Sequence, residues 1–289
     1  MSGRPPRPGQ ARATLPVAAA ALLAGWSTSG RTEPAPLWEL GLGAGAVVFD
    51  DYRGADRSHV YPLPAVYFIF RGEFLKSDRD GVRGLLFNSS RVELNVSMNA
   101  TTPVRSSDDD ARAGMPNLKP TFEVGPSLDV HLWRTADWRV KLDLRLPVRR
   151  VITIERNPHA IGWFFAPRLN LDIRDVGGHD GWNLGFLAGP LFGDRAYHSY
   201  FYTVDPEFAT PTRPAYRAPG GYSGAESIAA LSRRFPKFWI GAFVRYDVLA
   251  GAAFIDSPLV RSHGYWAGGF GFAWMVGKST RLVETHDGE

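Results

Sequence analysis

From Trp38 onward apolar and polar residues alternate with a period of two. In Trp38–Val48 the even positions are apolar and the odd ones are mostly glycine, with Glu39 among them. Arg91–Met98 repeats the pattern more cleanly: Val92, Leu94, Val96 and Met98 share one face, and Arg91, Glu93, Asn95 and Ser97 the other. Phe122, Val124, Leu128, Val130 and Leu132 continue it, followed by Val140, Leu142, Leu144 and Leu146 against Lys141, Asp143 and Arg145. Further on, Phe165, Leu169, Leu171 and Ile173 oppose Arg168, Asn170 and Asp172, and Phe238, Ile240, Ala242, Val244 and Tyr246 oppose Arg245 and Asp247. Successive side chains of a strand point to opposite faces, so each run predicts a strand with one apolar face, about 10 to 12 of them in all.

Such strands can be buried in a soluble sandwich or in a barrel with lipid outside. Three features favour the barrel. The runs are about 10 to 13 residues long, against the usual five or six of soluble sheets. Their polar faces carry full charges, as a water-lined or charge-packed lumen would. Aromatic residues gather near predicted strand ends, at Trp38, Tyr61, Trp133, Trp138, Trp163, Phe164, Trp182, Trp239, Tyr265 and Trp266, where an interfacial girdle belongs. The fold class expected is all-β: a single antiparallel transmembrane barrel of about 12 strands over residues 38–277. Its lumen would be lined by Arg91, Glu93, Arg145, Arg168, Asp172, Arg245 and Asp247.

Turn signals separate the strands at Ser77–Gly81, Thr135–Asp137, Gly177–Gly181 and Phe235–Lys237. Longer connections fall near 50–60, 103–119, 148–160, 204–222 and 250–262. On this reading long and short connections do not alternate around the barrel, so the two ends are left unassigned.

The N-terminus has a different character. Arg4, Arg7 and Arg12 precede the short apolar run Leu15–Gly25 and the small residues Ser27–Gly30, the order of a secretory signal with cleavage near Ser29–Gly30. The run falls short of the roughly 20 apolar residues of a membrane helix. A signal at 1–30, a linker at 31–37 and a polar tail at 278–289 are therefore expected to flank the barrel. Composition then alters little. The net charge is +4, but the leader holds three of those positive charges and no acid, which removes the case for nucleic acid. Cysteine is absent, which excludes disulfides and thiolate chemistry.

No catalytic constellation stands out. The seven histidines make no H-E-x-x-H or i,i+4 pair, so no metal or other cofactor is expected. Gly220–Gly224 misses the G-x-S-x-G spacing and reads as a glycine-rich loop. Asp108–Asp110 reads as a solvated acidic loop. His198–Ser199 is the one adjacent pair that a barrel lipase could use, a remote third reading.

Residues 197–224 are rich in tyrosine and end in Tyr216-Arg-Ala-Pro-Gly-Gly-Tyr222. This segment resembles the Tyr-x-Ala-x-Gly-Gly-Tyr stretch of the MltA-interacting protein (MipA/OmpV) family. Tyr61–Tyr67, Pro120–Pro126 and Asp256–Val260 are similar to three further stretches of that family, in the same order. The resemblance implies a non-enzymatic protein of the bacterial outer membrane. It also implies a scaffold that associates with a lytic transglycosylase and a bifunctional peptidoglycan synthase, with outer-membrane lipid around it. A small-solute pore or uptake channel is the alternative. Tyr197, Tyr200, Phe201, Tyr202, Tyr216 and Tyr222 are candidates for a plug or a partner-contact segment, with plugging or loop folding preferred. The polar tail departs from the terminal aromatic with which such barrels commonly finish.

Overall fold

A computed structural model describes residues 34–72, 75–78, 81–179 and 181–284. The expected leader lies outside these residues, as do 31–33 of the linker and 285–289 of the tail. Fifteen strands follow in chain order: β1 (Pro34–Pro36), β2 (Trp38–Asp50), β3 (Ser58–Arg71), β4 (Leu75–Asp78), β5 (Gly81–Asn88), β6 (Val92–Ala100), β7 (Thr121–Arg134), β8 (Val140–Thr153), β9 (Ala160–Phe165), β10 (Arg168–Arg174), β11 (Trp182–Gly193), β12 (Gly221–Arg234), β13 (Phe238–Val248), β14 (Gly264–Lys278) and β15 (Leu282–Glu284). Among the described residues one α-helix, α1, spans Arg195–Tyr202.

β2 to β14 form one antiparallel sheet in which β14 returns to pair with β2. β8 and β11 each pair with both β9 and β10, which are two halves of one wall position. The sheet therefore closes into a barrel of twelve wall positions. Chain chemistry explains the β9/β10 break: Pro167 has no N–H to give the ladder. β1 and β15 pair outside the wall as a two-stranded sheet.

The period-two pattern sets the two faces. Outward positions carry exposed apolar side chains, among them Leu42, Val66, Leu128, Leu231, Val244 and Phe270. Inward positions carry buried polar ones, among them Glu39, Glu93, Asn95, Glu123, Asp143, Arg149, Asn170, Glu226 and Asp247. This inversion of a soluble core is the requirement of a wall with lipid outside it.

Long connections gather at one end: 51–57, 101–120, 154–159, 194–220 and 249–263. Short turns at 89–91, 135–139, 175–181 and 235–237 share the other end with β1 and β15. The two kinds of connection thus do alternate, contrary to the sequence reading. The exception that hides it is the β4–β5 hairpin, whose tip joins strands of which one is four residues long. Trp266 and Trp163 project from the long-loop half and Trp133 from the short-turn half, all exposed as girdle residues. Trp239, Phe164, Tyr61 and Tyr265 are corrections to the expected girdle: all four face inward, Trp239 and Phe164 buried, Tyr61 opposite the buried Val47, and Tyr265 opposite Asp247 beneath the Arg245 guanidinium. Trp239 is in phase with Arg245 and Asp247, and it packs with Tyr67, Ile69 and Ala273 inside the wall.

Candidate functional site: a braced lumen under a folded cap

Five charged side chains form one chain of ion pairs in the upper lumen, running from β10 through β12 and β13 to the β2–β3 loop. Arg168 on β10 lies 3.5 Å from Glu226 on β12, whose other oxygen is 3.2 Å from Arg245 on β13. Arg245 also donates to Asp247 from Nε and Nη2, at 2.8 and 2.7 Å. Asp247 accepts in turn from Arg53 Nε at 2.6 Å, and Arg53 Nη2 donates to the Ser223 carbonyl. Arg53 sits in the β2–β3 loop, so this chain of charges ties the lumen to the end loops.

The opposite wall is braced the same way. Arg149 on β8 pairs with Glu123 on β7 at 3.1 Å and donates to Ser97 on β6. Lower down, Asp129 accepts from Asn95 and Ser127 and lies 4.0 Å from Arg145. His131 meets Asp143, and Asn170 donates to Asp172. Near the short-turn end Glu39 takes one arginine on each oxygen, Arg71 and Arg234, both at 3.0 Å. Asp247, Glu123, Arg149 and Glu226 are buried, and for such groups pairing offsets a desolvation cost of several kcal/mol per ion.

Above this lattice the long loops build a small apolar core of their own. Tyr52, Val104, Leu118, Tyr202, Val204, Leu249, Phe254 and Leu259 are buried together, with Tyr200, Phe201 and Tyr216 packed against them. α1 starts at Asp194, whose Oδ1 accepts from the Tyr197 N–H at 2.8 Å. Two glycines let the helix seat directly on the wall. A Cβ on Gly162 would lie 2.4 Å from the Tyr197 nitrogen, and one on Gly193 would lie 2.6 Å from His198 Nε2. Gly162 also holds a φ of +136°, a conformation that favours glycine. Tyr202 stacks on Phe254 with ring centroids 3.6 Å apart, and its hydroxyl donates to the Arg53 carbonyl.

Arginines lock the remaining loops. Arg112 donates to the Phe201 carbonyl, and Arg213 to the carbonyls of Ala111, Ala113 and Phe208. Burial pushes the Tyr52, Tyr197 and Tyr202 hydroxyls above the ordinary tyrosine range and pulls the Arg112 guanidinium below its own.

His198 is fully buried in α1, with both ring nitrogens engaged. Nδ1 lies 2.6 Å from the Pro219 carbonyl, which can only accept, so Nδ1 carries the proton. Nε2 therefore accepts from the Ser223 hydroxyl at 2.5 Å. A serine hydroxyl bonded to an imidazole is the arrangement of an activated nucleophile. Here Ser223 is fully buried as well, so the pair pins α1 to the start of β12. Burial lowers the His198 pKa.

The residues singled out from sequence sort as follows. Glu93, Arg145, Arg168, Asp172, Arg245 and Asp247 all face the lumen, whereas Arg91 stands in the exposed turn before β6. Tyr197, Tyr200, Phe201 and Tyr202 belong to α1, and Tyr216 packs on the cap core. Tyr222 instead meets Phe192 edge-on, beside Phe165. His198 pairs with Ser223, and Ser199 forms no such pair. Gly221–Gly224 is the start of a strand, not a loop. Asp108–Asp110 is tied into the fold: Asp109 caps a short 3-10 turn and Asp110 pairs with Arg57. Among the described residues no cluster of His, Asp and Glu could hold a metal. Sequence reasoning missed Glu39, Glu123, Arg149 and Glu226, although each has the parity of the lumen face. Arg53, in a loop, carried no such signal.

A closed antiparallel wall, an apolar outer belt with tryptophans towards both ends and a charged interior define an outer-membrane β-barrel protein. The sequence matches the family described as MltA-interacting protein MipA over residues 42–276, and the chain belongs to that family. No curated protein matches it. Among solved structures it is similar to outer membrane phospholipase A from Escherichia coli, at 11% identity and a TM-score of 0.32, covering 86% of this chain and 98% of that one. OprG from Pseudomonas aeruginosa matches at 8% identity and a TM-score of 0.22 over 84% and 95% of the two chains. The toluene transporter TodX from Pseudomonas putida matches at 9% and 0.26 over 88% and 76%. Likenesses this distant say nothing of what the present barrel binds or catalyses.

Proposed function

We propose that this chain is a non-enzymatic outer-membrane scaffold that associates with a lytic transglycosylase, the kind of partner in the family's description, and with a peptidoglycan synthase. The observation that carries the reading is the braced lumen. Ion pairs cross it from Arg53 at the long-loop end to Glu39 near the short-turn end, and a packed cap lies over them, an interior suited to rigidity rather than to conduction. Short turns of such barrels face the periplasm, which would put the partner surface at the end that also holds β1 and β15.

That end offers anchors of the kind protein interfaces favour. Arg134 lies over the Trp138 ring at 3.8 Å, and Arg233 lies over both Trp182 and Phe235. The test is capture of a purified lytic transglycosylase by the detergent-solubilised full chain, run beside planar-bilayer recording. Capture weakened by Trp182→Ala, with no steady current, is the expected result. Steady current without capture overturns the scaffold in favour of a small-solute pore.

A further inference from the structure

The wall has a notch. β3 runs for fourteen residues, but β4 beside it runs for four and meets it only at Phe70↔Ser77 and Arg71↔Lys76. Among the described residues no strand pairs with the outer edge of β3 from Ser58 to Tyr67. Beyond the β4–β5 sill stands β6, paired to β5 from Glu93 to Ser97. Loop 101–120 arches from β6 to the top of β3, held by the 2.6 Å Arg57–Asp110 pair and by Arg112 over the Tyr52 ring.

The sequence of β3 explains why the edge stays open. Pro62 and Pro64 are two residues apart, so their nitrogens face the same edge. Both lie inside an unbroken register with β2, opposite Ala46 and Ala44, which leaves the free edge as the side that lacks the two donors. Prolines on an edge discourage another strand from adding to it. A second copy of β3 is accordingly a poor occupant.

The notch lies at membrane depth. Its upper end is level with Trp266, whose N–H donates to Asp50 opposite Ser58, and its lower end approaches the Trp38↔Phe70 pair. At about 3.3 Å per residue the free edge is roughly 30 Å long. Bare peptide groups are not tolerated against hydrocarbon, so a polar group has to meet them there. The rims differ in chemistry. On β3 the outward Val60 and Val66 are 69% and 40% exposed and continue the lipid-facing belt, and the inward Tyr61 and Leu63 are partly exposed behind them. On β6 the amide of Asn99 is exposed at an inward position and donates to Glu123.

We propose that this notch is a lateral binding groove for a membrane amphiphile. Its acyl chain enters from the bilayer along Val66 and Leu63, and its polar head is held by the free peptide groups of β3 and the Asn99 amide. Continuity with the lipid-facing belt selects lipid as the occupant, and the two prolines disfavour a strand.

Because the chain has no cysteine, a single introduced thiol is unique. Full-length Leu63→Cys, labelled with a small fluorophore and folded into phospholipid vesicles, is titrated with phospholipid carrying a nitroxide on its acyl chain. Val244→Cys, outward and 47% exposed, sets the fully quenched limit. Ala230→Cys, inward where β12 is paired on both sides, sets the protected limit. The groove requires Leu63→Cys to quench close to the Val244→Cys limit. Quenching by aqueous iodide alone means a water-filled slit, and protection from both quenchers means a closed wall; either result overturns the proposal. Tyr61→Cys provides the same readout should the Leu63 variant fail to show the heat-dependent gel shift of a folded barrel.

Discussion

Replacing Asp247 by asparagine tests whether the lumen lattice holds the cap. The carboxylate is fully buried and pairs with Arg53 at 2.6 Å and Arg245 at 2.7 Å. At an effective dielectric of about 20 each contact is worth roughly 6 kcal/mol of gross attraction. Desolvation removes most of that, and breaking a buried pair by deleting one partner costs about 3–5 kcal/mol. Asn keeps the shape, Arg245 keeps Glu226 at 3.2 Å, and Arg53 keeps the Ser223 carbonyl, so the low end, about 3 kcal/mol, is expected. The assay is urea unfolding of the barrel in lipid vesicles for Asp247→Asn, Arg53→Met and the double variant. A coupling energy of about 1–3 kcal/mol is expected between the two sites. Additive effects to within about 0.5 kcal/mol would mean that Arg53 and Asp247 act independently and that the lattice does not anchor the end loops.

Three further outcomes follow from the cap. His198 has a depressed pKa in the fold, so the unfolded chain binds its proton more readily. The stability it contributes is full above about 6.5, the ordinary histidine value, and falls as pH drops through and below it. Hydrogen exchange in 194–220 should therefore speed up at pH 5 relative to pH 7.5, and His198→Gln should flatten that difference. Gly162→Ala would place a Cβ 2.3 Å from Asp194 Oδ1 at a φ of +136°, so α1 should lift and limited proteolysis should cut 194–220 while the barrel survives. Phe254→Ala removes a fully buried ring stacked on Tyr202 and should cost about 3–5 kcal/mol in the same urea assay; a loss under about 1 kcal/mol would show the cap core to be loosely packed.

Much of this was legible in the chain. Parity alone placed Glu93, Arg145, Arg168, Asp172, Arg245 and Asp247 inside and Val92, Leu144 and Val244 outside. The same parity would have put Trp239 inside with Asp247, and Phe164 inside in phase with Arg168. Counting both as girdle residues gave residue type precedence over phase. Alternation of long and short connections was missed because four-residue β4 is too short to show a period.

The sequence by itself determined the closed-wall class, the two faces and most strand positions, because a period of two is a local property that each strand carries alone. It also wrote the open edge of β3, through Pro62 and Pro64. Tertiary structure decided which charges meet: Glu226 with Arg168 and Arg245, Asp247 with Arg53, and Glu39 with Arg71 and Arg234. It decided too that His198 finds Ser223, twenty-five residues on, rather than the adjacent Ser199. These partners lie on separate wall elements or loops: strand register sets the pairs of neighbouring strands, loop folding sets His198 with Ser223, and only closure of β14 onto β2 brings Arg53 to Asp247 and Arg234 to Glu39.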